Sequence, residues 1–205
     1  MSVEFVFIVI LVLSVIFHEV AHGYMANLLG DPTAKLQGRL TLNPIPHIDI
    51  FGSILLPALM IISGSPVLFG WAKPVPYNPY NLRRGGRFAE ALVAFAGPAT
   101  NFAIALFVAL IFKFGFVSQN IAYMAIYMNV FLAILNLIPI PPLDGSKVLP
   151  AFLPNALRIQ YEDLARRIES FGVFTLIASL LVIVYLLSDF IVKFASALSV
   201  LILNI

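Results

Sequence analysis

The chain has 205 residues, of which 61% are apolar and 11% charged, with a net charge of +2 at pH 7 and no cysteine. A soluble domain carries roughly a quarter charged residues and could not hide this much apolar surface. The composition therefore specifies an integral membrane protein and excludes a disordered chain, a fibrous repeat, a nucleic-acid module and any Cys-based metal site or nucleophile.

Five apolar segments follow in order. The first, Val3 to Leu29, lacks a basic leader and is long enough to span a bilayer, so it reads as a retained span ended by Gly30-Asp31-Pro32. Residues 33–47 alternate polar and apolar side chains around Lys35 to Leu42, which predicts a short membrane-associated β-hairpin. Segment two, Ile50 to Trp71, is broken by Pro57, Gly64 and Pro66, and a polar loop fills 72–87. Segment three runs from Phe88 to Phe114 through Gly97-Pro98, and segment four from Gln119 to Ile138. Residues 155–169 place Leu157, Tyr161, Leu164 and Ile168 at helical spacing, which predicts an amphipathic surface helix. Segment five runs from about Phe171 to Leu187, Ser188-Asp189 interrupts it, and the apolar stretch to Ile205 fits either a short sixth crossing or an interfacial helix.

The charges suggest a topology. If segment two is re-entrant, the loops at 30–49, 65–87 and 139–170 share one face, which then holds ten of the twelve Lys and Arg residues. The positive-inside rule makes that face cytoplasmic. The expectation is an all-α polytopic membrane protein of five to six transmembrane segments, with a β-hairpin and a re-entrant segment after the first span. It forms one integral-membrane domain, 1–205: a core at 1–150, the surface helix at 155–169 and C-terminal membrane segments at 171–205.

Inside the first span stands His18-Glu19-Val20-Ala21-His22. Histidines at i and i+4 share a helix face and can reach one metal, while the glutamate between them can take a proton from a metal-bound water. This is the HExxH pattern of zinc peptidases. Ionisable groups inside a membrane are costly and mark functional sites. Asp144 is the candidate third ligand, because it follows segment four in the proline-rich NLIPIPPLDG, where an irregular backbone can line a polar cavity. Its alternative is an ordinary turn aspartate before Gly145. The re-entrant topology returns Asp144 to the side of His22.

Five ordered blocks, HEVAH at 18–22, LTLNPIPHIDIFGS at 40–53, FGWAKPVPYNPYNLR at 69–83, GPATN at 97–101 and NLIPIPPLDG at 136–145, resemble the site-2 protease family in its short bacterial and archaeal form without PDZ or CBS domains. The resemblance spans roughly residues 10–150. It implies an intramembrane zinc metalloprotease with His18, His22 and Asp144 as ligands of one Zn2+ and Glu19 as catalytic base. It also implies that Asn136 assists catalysis by holding substrate or the oxyanion; an interhelical hydrogen bond is the equal alternative. Asn101 and Gly97 belong to a helix that packs closely on the zinc helix. Ile50 stands where the family pattern has proline, which predicts a looser turn, and His47 either lines the site or caps the re-entrant segment. The implied partners are a transmembrane protein substrate and the lipid bilayer, with a homo-oligomer open and no nucleic acid. An unwound substrate could add to the edge of the 35–42 strand. The competing reading is a non-catalytic membrane zinc-binding scaffold or a metal transporter; the absence of a repeat and the gathering of ionisable groups at one centre favour the protease.

Overall fold

The computed structural model describes residues 2–64 and 70–205; Pro66 and Phe69, one a breaker and one the start of a motif in the sequence reading, lie outside the described residues. Helix α1 spans Val3–Leu29, with the Ser2 hydroxyl accepting from the Phe5 N–H at its start. It ends in a Schellman turn: Gly30 takes φ 112° and the Asp31 N–H reaches the Ala26 carbonyl. A one-turn helix α2 (Thr33–Leu36) follows. A π-helical run at Ile50–Leu55 then leads into α3 (Leu56–Ile62). Next come α4 (Ala89–Lys113), α5 (Gln119–Asn136), the short α6 (Gly145–Val148), α7 (Asn155–Glu169), α8 (Val173–Val182) and α9 (Ser188–Leu203).

Among the described residues three helical stretches are long and apolar enough to cross a membrane: Val3–Leu29, Gly86–Lys113 and Tyr185–Leu203. Helices α1 and α4 run antiparallel, since Ala26 and Leu29 pack on Ala89 and Val93 while Ser14 approaches Asn101 farther along. Helix α5 returns beside both. Helix α9 runs parallel to α4, and the Lys113 ammonium donates to the carbonyl of Ile205. The seams are built from small residues, with Ala105, Ala109 and Ala195 packed around Ile126 and Val130. Small side chains let apolar helices approach closely where lipid supplies no hydrophobic drive.

The predicted β-hairpin is absent: no strand occurs among the described residues. Thr33–Leu36 coils into helix instead, and the Arg39 N–H closes back on the Ala34 carbonyl. The local reason is Gly38 at φ 65°, which turns the chain sharply where the alternating pattern needs an extended backbone. Substrate addition to a 35–42 edge loses its template. The turn at Ile50 is also firmer than predicted, because the Asp49 carboxylate accepts from the Gly52 N–H and the Asp49 N–H donates to Ser53 Oγ. The interruption at Ser188-Asp189 is a bend: the π-helical run Ile183–Leu187 joins α8 to α9, and Leu187 departs from helical geometry at φ −121°.

The ends of the 30–83 segment are tied to each other. The Arg83 and Arg84 N–H groups donate to the Leu29 carbonyl, and the fully buried Asp31 accepts from the Asn78 N–H and the Asn81 amide. The segment leaves α1 and enters α4 at one end of the bundle. That end also receives the 137–153 loop, through the Arg87 guanidinium on the Ala151 and Leu153 carbonyls.

Candidate metal centre

Antiparallel packing of α1 on α4 buries His18 and His22 against Gly97. Each imidazole is oriented from its Nδ1 side. His18 Nδ1–H donates to Asn101 Oδ1 at 2.6 Å and His22 Nδ1–H to the Val93 carbonyl at 2.7 Å. Pro98 has no N–H to give to Ala94, so the helical ladder is open beside that carbonyl. With hydrogen on both Nδ1 atoms, both Nε2 lone pairs face inward, and Asp144 meets them. Its Oδ2 lies 3.1 Å from His18 Nε2 and 3.3 Å from His22 Nε2. Two imidazole nitrogens and a carboxylate oxygen this close are held together by a shared cation, whether a proton or a metal ion.

Asp144 reaches this position because the chain doubles back after α5. A Cβ on Gly145 would sit 2.2 Å from the Leu137 carbonyl oxygen, so only glycine permits the fold-back. The proline-rich run leaves carbonyls without ladder partners. Tyr161 of α7 satisfies that of Pro139, and Ser179 of α8 that of Pro141. Glu19 lies on the flank of α1 next to the histidines, and the three residues can bring ligand atoms within 4.8 Å of one another. Its carboxylate accepts from the Val75 N–H at 2.9 Å. That amide is the last of an alternating set, after Trp71 N–H to the Gly52 carbonyl and Lys73 N–H to the His47 carbonyl.

The model of "Peptidase family M50" matches residues 114–183. Over 177 residues the chain is 36% identical to "Putative zinc metalloprotease YwhC" of Bacillus subtilis, covering 80% of this chain and 75% of that protein. The chain belongs to peptidase family M50. It is 31% identical over 146 residues to "Putative zinc metalloprotease Rip2" of Mycolicibacterium smegmatis, with 69% of this chain covering 54% of the relative. A third relative, "Putative zinc metalloprotease MJ0611" of Methanocaldococcus jannaschii, is 47% identical over 60 residues, 28% of this chain and 31% of its own. No solved structure matches. Family and relatives make the protein an intramembrane zinc metalloprotease, the function the sequence blocks imply.

The remaining candidates of this M50 chain fall in different places. Asn101 holds His18 directly, beyond the packing role expected of its helix. Asn136 stands at the end of α5, and its Nδ2 donates to the Leu132 carbonyl of its own helix. His47 is buried, and its Nε2–H donates to the Thr41 carbonyl. With its own carbonyl taken by Lys73, it joins two loops. Sequence reasoning missed Ser14 and Asn129, which are buried in α1 and α5 and linked to Asn101. The signal was available: Ser14 lies one turn before His18 on the same face, and Asn129 is an amide in mid-span.

Proposed function

We propose that His18, His22 and Asp144 hold one zinc ion per chain and that Glu19 is the general base and acid for hydrolysis of a peptide bond in or near a transmembrane helix of a substrate protein. The observation that carries the reading is the convergence of His18 Nε2, His22 Nε2 and Asp144 Oδ2 at separations of 3.1 and 3.3 Å. Donor atoms around tetrahedral zinc, with bonds of about 2.0–2.1 Å, lie about 3.3 Å apart. The donor set therefore fits the ion, and three protein ligands leave the open position a catalytic site needs.

Bound zinc supplies Lewis acidity, acidifying water and polarising the scissile carbonyl. The rest of the chemistry falls to the chain. Glu19 takes a proton from the attacking water on a carboxylate oxygen and returns it to the leaving amine nitrogen, one group serving both transfers. Its bond from the Val75 N–H fixes the carboxylate without consuming its second oxygen. Asn136 would steady substrate or the oxyanion by exchanging its bond to Leu132 for one across the site. The substrate helix must unwind locally, because an intact helix commits its carbonyls to its own amides.

The same reading makes Ile50–Ile62 part of a re-entrant segment. Its six π-helical and seven α-helical residues reach about 20 Å at 1.5 Å per residue, short of the roughly 30 Å hydrocarbon core. The joined ends of 30–83 support it. The site then lies toward the cytoplasmic face of a multi-pass cell-membrane protein that works as a monomer or a homo-oligomer.

The test compares wild type, Glu19→Gln and Asn136→Ala for bound zinc and for cleavage of a reconstituted single-span substrate. Glu19→Gln should keep stoichiometric zinc and lose at least about 10³-fold in turnover. Asn136→Ala should keep zinc and cleave more slowly. Loss of zinc in Glu19→Gln would overturn the separation of roles, and zinc-free wild type would overturn the site.

A further inference from the structure

Ser14, His18, Asn101 and Asn129 form a ring of hydrogen bonds through three helices, none more than 6% exposed. From His18 of α1 it passes to Asn101 of α4 and to Asn129 of α5. It then returns to α1 at Ser14, one turn below where it started.

The direction of every bond in the ring is set by backbone carbonyls, which can only accept. Ser14 Oγ–H donates to the Ile10 carbonyl at 2.7 Å, so its oxygen is left as an acceptor and faces Asn129 Nδ2 at 2.9 Å. Asn129 Nδ2 also donates to the Ala125 carbonyl at 2.9 Å, which prevents its amide from turning over. Asn129 Oδ1 must then accept, and it takes Asn101 Nδ2–H at 2.9 Å. The second hydrogen of Asn101 Nδ2 goes toward the Ser14 carbonyl at 3.4 Å. Asn101 therefore has no orientation left except the one that presents Oδ1 to His18. Asn101 Oδ1 can only accept, so at 2.6 Å it requires the hydrogen of His18 on Nδ1, which leaves Nε2, beside Asp144, as the nitrogen able to ligate a metal ion. For His22 the Val93 carbonyl does this alone; His18 has no backbone carbonyl on its Nδ1, and the ring supplies one at a distance.

We infer that Ser14 and Asn129 are positioning residues of the metal site: they fix the amide orientation of Asn101 and through it the tautomer of His18. The inference rests on His18 being a zinc ligand. Groups that orient a metal-ligating histidine typically govern 10–100-fold in affinity. The energy of four buried polar groups on three helices is thereby spent on orientation, since apolar residues would have packed the same seam.

The chain has three histidines, so the imidazole nitrogens of 15N-histidine-labelled protein can be assigned with His47→Gln and His22→Ala variants. The comparison is wild type, Asn129→Leu, Ser14→Ala and Ser14→Thr as full-length apo protein in detergent. Zinc affinity is measured in parallel by competition with a chelator. Wild type should show hydrogen held on His18 Nδ1. Asn129→Leu should give mixed tautomers and lose about 10–100-fold in zinc affinity. Ser14→Ala should move both in the same direction, by about threefold in affinity, and Ser14→Thr should restore them. Unchanged tautomer and unchanged affinity in Asn129→Leu and Ser14→Ala overturn the inference, and if Asn129→Leu does not fold, the Ser14 pair decides alone. Wild-type protein that binds no zinc, or binds it equally after His18→Ala, would instead overturn the metal-site reading, whatever the tautomer.

Discussion

A Cβ added at Gly97 would lie 2.5 Å from His22 Nε2 and 2.6 Å from His18 Nε2, and neither ring is free to retreat, since both are held on the far side. Gly97→Ala should consequently cost more than a methyl group in a helix normally does. The expected result is loss of zinc from the purified protein and a drop in cleavage of at least about 10²-fold, because misplacing catalytic groups by about 1 Å has that scale. Zinc analysis beside helix content by circular dichroism checks it; full zinc with near-normal turnover would mean the two rings have room to move. At this scale the sequence was most informative where the residues were ionisable. His18, Glu19, His22 and Asp144 stood out because charge in an apolar span has no inexpensive explanation. Ser14 and Asn129 did not, since a hydroxyl and an amide are tolerated in membrane helices and single positions do not reveal that they meet across three helices.

Between the residue and the bundle stands the clamp around Asp31, which joins the end of α1 to the entry of α4. Burial raises its carboxyl, but hydrogen bonds from the Thr33 hydroxyl, the Asn81 amide and the Asn78 and Thr33 N–H groups outweigh that and hold it below its ordinary range. A carboxylate with a depressed folded pKa stabilises fully above its unfolded value, about 3.9, and loses that contribution as the pH falls through the folded value. Hydrogen exchange at residues 77–84 should thus stay slow down to about pH 4 and accelerate below it. Asp31→Asn should exchange faster at every pH and show no such step, because an amide cannot accept all the donors. A step that persists in Asp31→Asn would assign the acid sensitivity to another group. Elements of regular, long periodicity were legible: α1 and α7 occupy the stretches expected for them, Val3–Leu29 and Asn155–Glu169. The 33–47 region was not, because alternation over a few residues is a weak signal beside one glycine that reverses the chain.

At the scale of the whole molecule, the proposed re-entrant topology would gather ten of the twelve basic residues at the end where α1 stops and α4 starts. The positive-inside rule would then make that end cytoplasmic. The absence of native cysteine makes the test clean: Ser118→Cys, at the start of α5, should react with an impermeant maleimide from outside intact cells, and Arg84→Cys only after permeabilisation. The reverse pattern would invert the topology. The long span α1 was readable from hydropathy alone, whereas the placement of α9 within the bundle was not, since a Ser-Asp pair in an apolar tail looks the same whether it ends a helix or merely bends one.

The ring through Ser14, Asn101 and Asn129 gives the protease a back and a front. Its back, where α1, α4 and α5 are bolted together at the depth of the histidines, cannot part without releasing His18. Under the proposed function a peptide would come from the front, past the 70–76 stretch whose Val75 amide touches Glu19. Pro74 and Pro76 carry no N–H, and the Arg39 guanidinium already donates to the Lys73 and Pro74 carbonyls, so that stretch has few backbone groups left to offer. On that reading, substrate preference would belong to residues of the front, none of which is among the proposed zinc ligands.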